Sequence, residues 1–240
     1  MPWLDAFLDV IDGRQVVSVE DPIAGSIQSA AEVARFVKQG EQWVAEHAAR
    51  VDRISLIRTQ LRTVAEFTVA VTNRDRSAVM PLALVVEPTG VDVVLRIYYS
   101  LWALTGERTV RAPLLVADAA AHPAGIPGRY LRALRVGDAA ACVACYEDDG
   151  CLQGASGPAY ARCGRATLAL EYPGHLERGG IVLEPCTLTA NDERTAVEFN
   201  IVRWGDVDLQ PQAGLAVYQL GPTGRILANR VYDDVARPWS

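Results

Sequence analysis

The sequence predicts an α+β fold built twice over, and three observations predict it. Residues 62–69 read Arg-Thr-Val-Ala-Glu-Phe-Thr-Val, and residues 194–201 read Arg-Thr-Ala-Val-Glu-Phe-Asn-Ile, 132 positions further on. Pro88-Thr89-Gly90 and then Arg96-Ile97-Tyr98-Tyr99-Ser100 return as Pro222-Thr223-Gly224 and then Arg230-Val231-Tyr232-Asp233-Asp234, 134 positions further on. In each copy, segments of helical periodicity come first and a run of strand-like segments follows, which is an α+β order. A period this long marks a duplicated domain and not a solenoid, whose units are far shorter.

In the first copy, residues 3–11 form an amphipathic helix candidate, with Trp3 and Phe7 on it. Val16 to Glu20 reads as a strand, ended by Asp21-Pro22 and a turn at Gly25. Ala30, Val33, Ala34, Val37, Val44, Ala45 and Ala48 recur at helical spacing and predict a helix over 29–50, with Gly40 its weak point. Strands rich in β-branched residues follow at 53–60, 63–72, 78–87 and 92–101, separated by turn signals at 72–75 and 87–90. Residues 105–125, holding Pro113, Pro123, Gly125 and an alanine run, resemble neither copy and read as a linker. The domains are therefore expected at 1–104 and 126–240.

The second copy predicts helices at 126–136 and 138–147, an extended Gly-rich stretch at 150–160 and a helix at 164–178. Strands are expected at 181–189, 194–204, 209–220 and 225–235, with Gly221-Pro222-Thr223-Gly224 as the last hairpin turn. Each copy then becomes a curved antiparallel sheet wrapped around helices, a cone with room for a pocket between the two layers.

The totals fit this plan. Of 240 residues half are hydrophobic, enough for two buried cores, and the net charge is −6. Basic residues are scattered, so nucleic acid is not an expected partner. No run reaches the ~20 apolar residues of a membrane span, and the N-terminus lacks the basic and apolar regions of a secretion signal. Five cysteines, an odd number, make a disulfide framework unexpected and point to a reducing cytoplasm. Cys142 and Cys145 form a C-x-x-C inside an apolar, helix-like run and read as small buried hydrophobes rather than a redox or zinc pair. His47, His122 and His175 lie far apart in sequence with no metal-ligand spacing, and no phosphate-binding or nucleophile-elbow motif occurs, so neither metal nor cofactor is expected.

The chain resembles the nuclear transport factor 2-like superfamily, which includes ketosteroid isomerase, scytalone dehydratase, limonene epoxide hydrolase and the polyketide and polyether cyclases. The resemblance rests on Tyr130 through Gly137-Asp138, Cys145 through Gly150, Gly164 to Leu168, and the strand–turn–strand from Tyr218 to Tyr232. In the first copy it rests on Val19-Glu20-Asp21-Pro22-Ile23-Ala24-Gly25, close to the isomerase segment that bears the catalytic base. It covers nearly everything outside 105–125 and implies two cone-shaped domains packed as an internal pseudo-dimer, either as a monomer or in a further homodimer.

The resemblance makes Asp21 the candidate base of the first copy, moving a proton next to a carbonyl; the alternative is that Asp21 caps its Asp-Pro turn. Gly154-Ala155-Ser156-Gly157 stand near this place in the second copy, without a carboxylate. Tyr130 occupies the register of the isomerase tyrosine. The isomerase aspartate on the third strand is missing, its place falling near Ala83 in one copy and within 212–216 in the other, which disfavours steroid-type isomerisation. Glu66 and Glu198 recur with Arg96 and Arg230, either as buried ion pairs bridging strands or as pocket acids held by arginine, as in the epoxide-opening members. Where the first copy has Tyr99 and Ser100 the second has Asp233 and Asp234, so Asp233 joins Asp21 and Glu198 as a catalytic candidate. Tyr98, Tyr130, Glu184, Tyr218, Arg230 and Tyr232 are candidates for lining a pocket, the tyrosines having ordinary core packing as their alternative.

Two functions follow. One is a cofactor-independent acid/base enzyme, of cyclase, isomerase, dehydratase or epoxide-hydrolase type, acting on a small apolar oxygenated metabolite in secondary metabolism. The other is a non-catalytic small-ligand-binding or scaffold protein.

Overall fold

A computed structural model describes residue 7 and residues 9–73 and 76–239. The expected N-terminal helix lies largely outside the described residues, as does part of the turn at 72–75; residues 9–11 are helical. Contacts divide the chain into two compact units: Met1–Thr109 with Ala155–Ala159, and Val110–Gly154 with Tyr160–Ser240.

The first unit runs β1 (Gln15–Asp21), β2 (Gly25–Ile27), α1 (Ala30–Glu46), β3 (Arg50–Arg58), β4 (Thr63–Asn73), β5 (Arg76–Thr89), β6 (Asp92–Tyr99) and a short α2 (Trp102–Thr105). Its six strands lie in the order β2-β1-β6-β5-β4-β3. β3 to β6 form the expected antiparallel meander, but β1 pairs β6 in parallel, so the sheet is mixed. Ser29 caps α1: its Oγ accepts the Glu32 N–H at 3.3 Å and donates to Glu32 Oε2 at 2.6 Å, satisfying one of the orphan donors of the first turn. The core lies on the helix side of the sheet, where Val19, Phe67, Leu84 and Leu95 meet Val33 of α1.

The second unit runs α3 (Gly125–Val136), α4 (Ala139–Ala144), β7 (Tyr146–Gln153), β8 (Arg162–Cys163), α5 (Arg165–His175), β9 (Ile181–Ala190), β10 (Arg194–Trp204), β11 (Val207–Leu220) and β12 (Ile226–Tyr232). The order β8-β7-β12-β11-β10-β9 repeats that of the first sheet position for position, again with one parallel pair, β7 with β12. The helix expected over 138–147 ends at Ala144, because Tyr146 already begins a strand that continues into the stretch read as extended.

The repetition reaches single residues. A β-bulge interrupts β3 between Arg53 and Ser55, and the same bulge interrupts β9 between Pro185 and Thr187. It places Ser55 opposite Glu66 and Thr187 opposite Glu198. Ser55 Oγ donates to Glu66 Oε2, and Thr187 Oγ1 donates to Glu198 Oε2 at 2.5 Å.

Two expectations need correction. The segment read as a linker is tied to the second sheet: Ala213 N donates to Arg111 O, Asn200 Nδ2 to Leu115 O, and Asp118 N to Pro185 O. The cysteines are not all thiols, since Cys151 and Cys163, cross-strand partners on β7 and β8, form a disulfide. With that pair goes the cysteine argument for a reducing compartment. One further exchange is built into the chain. Residues 155–159, sequentially part of the second copy, belong to the first unit, where a Cβ on Gly157 would come within 2.5 Å of the Val79 carbonyl oxygen on β5.

Candidate functional site

Strand alternation sorts the candidate residues onto two sheet faces. In β10, Val197, Phe199 and Ile201 pack with Tyr130, Leu134 and Tyr172 of the helices, so Glu198 and Asn200 face away from them. In β4, Ala65 and Phe67 belong to the helix-side core, so Glu66 faces away as well. The ladders carry this across the sheets: Glu198 pairs Leu215, which pairs Tyr232, and Val217 pairs Arg230. Glu66 pairs Ala83, which pairs Tyr98, and Val85 pairs Arg96. Glu66, Glu198, Arg96, Arg230, Tyr98 and Tyr232 are therefore buried on the face opposite the helices. Arg96 Nη2 meets Glu87 Oε2 at 2.8 Å, with Arg62 on the other oxygen at 3.1 Å, and Arg230 donates to Gln219 Oε1 at 3.3 Å. Burial alone would raise the Glu87 carboxyl, but the two arginines outweigh it and hold it below its ordinary value.

The helix-facing interior of the second unit is filled. Tyr130, Tyr146, Tyr172 and Tyr218 converge there, with ring centroids 5.7 to 6.3 Å apart. Asn229 Nδ2 donates to the Tyr146 hydroxyl at 3.0 Å, Tyr146 and Tyr172 share a bond of 2.7 Å, and Tyr172 donates to Tyr130 at 2.9 Å. The donor–acceptor count fixes one direction, from Asn229 through Tyr146 and Tyr172 to Tyr130. Burial pushes the Tyr146 phenol up to about 12 and raises those of Tyr130, Tyr172 and Tyr218, so all four stay neutral. Tyr130 and Tyr218, expected at a pocket, are core. Cys142 and Cys145 are buried thiols of α4; burial raises both, Cys142 to about 12, which keeps them protonated and inert. Asp233 follows β12 and accepts the Val235 N–H at 3.2 Å, while Glu184 is exposed on β9.

The first unit keeps its space open. A cavity of about 680 Å³ lies between α1 and the sheet, walled by Val19, Phe36, Trp43, Phe67, Leu84, Leu95 and other apolar side chains. Asp21 and Tyr99 are among its few polar lining residues, with Gln39 and Thr105. Asp21 is 5% exposed and its Oδ1 accepts three hydrogen bonds: Ile23 N and Ala24 N at 2.8 Å, and the Tyr99 hydroxyl at 3.2 Å. Among the described residues nothing donates to Oδ2. Oδ1 thus caps the turn, the alternative the sequence offered, and the side chain stands in a cavity wall. Tyr99 escaped the sequence reading, which named its neighbour Tyr98; the two point to opposite faces.

The ladders also show what the second copy has in place of this pair. Glu20 pairs Arg96 in the first sheet and Gln153 pairs Arg230 in the second. One position past Glu20 and Gln153, Asp21 matches Gly154, and three positions past the two arginines Tyr99 matches Asp233. Likewise Val86 pairs Leu95 where Tyr218 pairs Asn229, so two aliphatic residues of the open interior correspond to two members of the filled one.

Among the described residues no group of three or more His, Cys, Asp or Glu side chains is placed to hold a metal ion, and no helix is long and apolar enough to cross a membrane. Two repeated six-stranded mixed sheets, each backed by helices on one face, make a duplicated α+β fold, the architecture expected from the sequence. Among solved structures the chain is similar to SalBIII, an epoxide hydrolase/cyclase-like enzyme in pyran ring formation in the polyether salinomycin. That match has 22% identity over 45% of this chain and 86% of the other, with a TM-score of 0.38. It is also similar to a nuclear transport factor 2-like protein of unknown function from Cytophaga hutchinsonii, with 14% identity over 46% of this chain and 90% of the other and a TM-score of 0.36. No family model and no curated protein matches the chain.

Proposed function

We propose that the first unit is the working half of a cofactor-independent acid/base enzyme acting on a small apolar oxygenated molecule of secondary metabolism. The supporting observation is Asp21, a buried carboxylate on the wall of an apolar cavity with three donors on one oxygen and, among the described residues, none on the other. Oδ2 takes a proton from a carbon beside a carbonyl, the C–H electron pair moves onto the carbonyl oxygen, and the protonated Asp21 returns the proton to another atom of the same molecule. The net change is an isomerisation; where the enolate carbon instead bonds to a second carbonyl carbon of the same molecule and the protonated Asp21 gives its proton to the alkoxide so formed, the net change is a ring closure. Tyr99 acts as a positioning residue by fixing Oδ1. Glu198 and Asp233, the other catalytic candidates, have no part in this cavity.

A second reading, binding without turnover, is favoured by one observation. Asp21 is the only carboxylate among the described lining residues, so the described wall supplies no second carboxylic acid.

The two separate by proton exchange. Norcamphor, an apolar enolisable ketone, is incubated with the protein in heavy water and its α-positions are followed by NMR. Wild type is expected to accelerate exchange. Asp21→Asn is expected to lower the rate by roughly 10²–10⁴-fold with the melting temperature nearly unchanged, since Asn keeps the acceptor of the turn. Binding of the ketone without exchange selects the second reading, and absence of binding counts against both.

A further inference from the structure

We infer that the cavity of the first unit takes an apolar molecule bearing one hydrogen-bond donor, a hydroxyl or an amino group, and turns away carboxylates. This rests on the reading of the Asp21 cavity as the working site and adds the class of ligand: the ligand's donor rests on Oδ2 in the bound state and leaves it before that oxygen takes a carbon-bound proton. Oδ1 of Asp21 is saturated by Ile23 N, Ala24 N and the Tyr99 hydroxyl, while Oδ2 has no donor among the described residues. Oδ2 faces the cavity and is free to accept a ligand O–H or N–H, and a hydrogen bond to a charged group among apolar walls is among the stronger ones.

The sign of the ligand's charge follows from the rest of the wall. Among the described lining residues there is no Lys, Arg or His, so a bound anion would add a second negative charge beside Asp21 with nothing to offset it. An ammonium meets the opposite situation, a carboxylate in a wall that also holds the aromatic side chains of Trp43, Phe67 and Tyr99. The remaining aliphatic wall calls for an apolar body, and about 680 Å³ is in the size range of cavities that enclose small-molecule ligands.

Four probes of one shape test this on the full chain by titration calorimetry at neutral pH: adamantylmethanol, adamantylmethylamine, the methyl ether of adamantylmethanol, and adamantane carboxylate. The alcohol and the amine are expected to bind roughly tenfold or more tighter than the donorless ether, with the carboxylate weakest. Asp21→Asn is expected to erase the advantage of the amine and to improve the carboxylate. The wild-type ranking decides the donor rule by itself, should that variant fold poorly. Gly40→Trp then locates the site, because Gly40 lines the cavity with open space around its Cβ position, and all probe binding is expected to fall. Ether and alcohol of equal affinity, or a carboxylate that binds best, would overturn the inference while leaving the cavity reading intact. If no probe binds, both are overturned.

Discussion

The tyrosine chain of the second unit shows how much one hydroxyl can matter when it is held between two others. Tyr172 accepts from Tyr146 and donates to Tyr130, so Tyr172→Phe leaves a donor and an acceptor unsatisfied in a buried core. The expected cost is about 1–3 kcal/mol in a denaturant titration. The Tyr218 hydroxyl makes no hydrogen bond among the described residues and the side chain packs through its ring, so Tyr218→Phe is expected to change stability by less than ~0.5 kcal/mol. Equal losses from the two variants would refute the chain. The same scale explains why Asp21 was legible and Tyr99 was not. Asp21 announces itself through the Asp-Pro turn and the segment around it. Tyr98 and Tyr99 differ only in which face each meets, and a one-residue change of register exchanges those faces. That register is fixed by the pairing of β6 with β1 and β5, which a single strand does not encode.

At the scale of elements, α1 is lightly held. Of its 17 residues only Val33 is fully buried, and Phe36, Val37, Trp43 and Val44 line the cavity half-buried. In the other unit α5 buries both Leu168 and Tyr172. Gly40 weakens α1 further, and no atom stands within 4 Å of where its Cβ would be. Gly40→Ala is therefore expected to raise stability by about 0.5–1 kcal/mol, read from the denaturation midpoint. No gain would mean that α1 does not contribute to the measured transition. Element boundaries were readable where periodicity ran unbroken: β10 spans 194–204, as expected from its alternation. They were not readable where an apolar alanine-rich helix passes into β7 at Tyr146, because Cys145-Tyr146-Glu147 fits the end of a helix as well as the start of a strand. The parallel pairing of β1 and β7 was also invisible, since alternation records the faces of a strand and not its neighbour.

For the molecule as a whole, duplication was the most legible feature, because spacing survives when side chains drift. What diverged is the interior: one copy open around Asp21, the other closed by tyrosines and fastened at its sheet edge by Cys151 and Cys163. Cys163→Ser, which removes the clip across β7 and β8, is expected to cost about 2–3 kcal/mol in thermal or chemical denaturation. Unchanged stability would show that the edge holds without it. The loop at 155–159 has a practical consequence for anyone dissecting this gene. Truncation after Thr109 would separate the open half from a piece of itself encoded some fifty codons downstream, uncovering the backbone beside Val79. An isolated amino-terminal fragment is thus a different object from the half it was meant to represent, and a circularly permuted or co-expressed design that restores the missing loop is the sounder route.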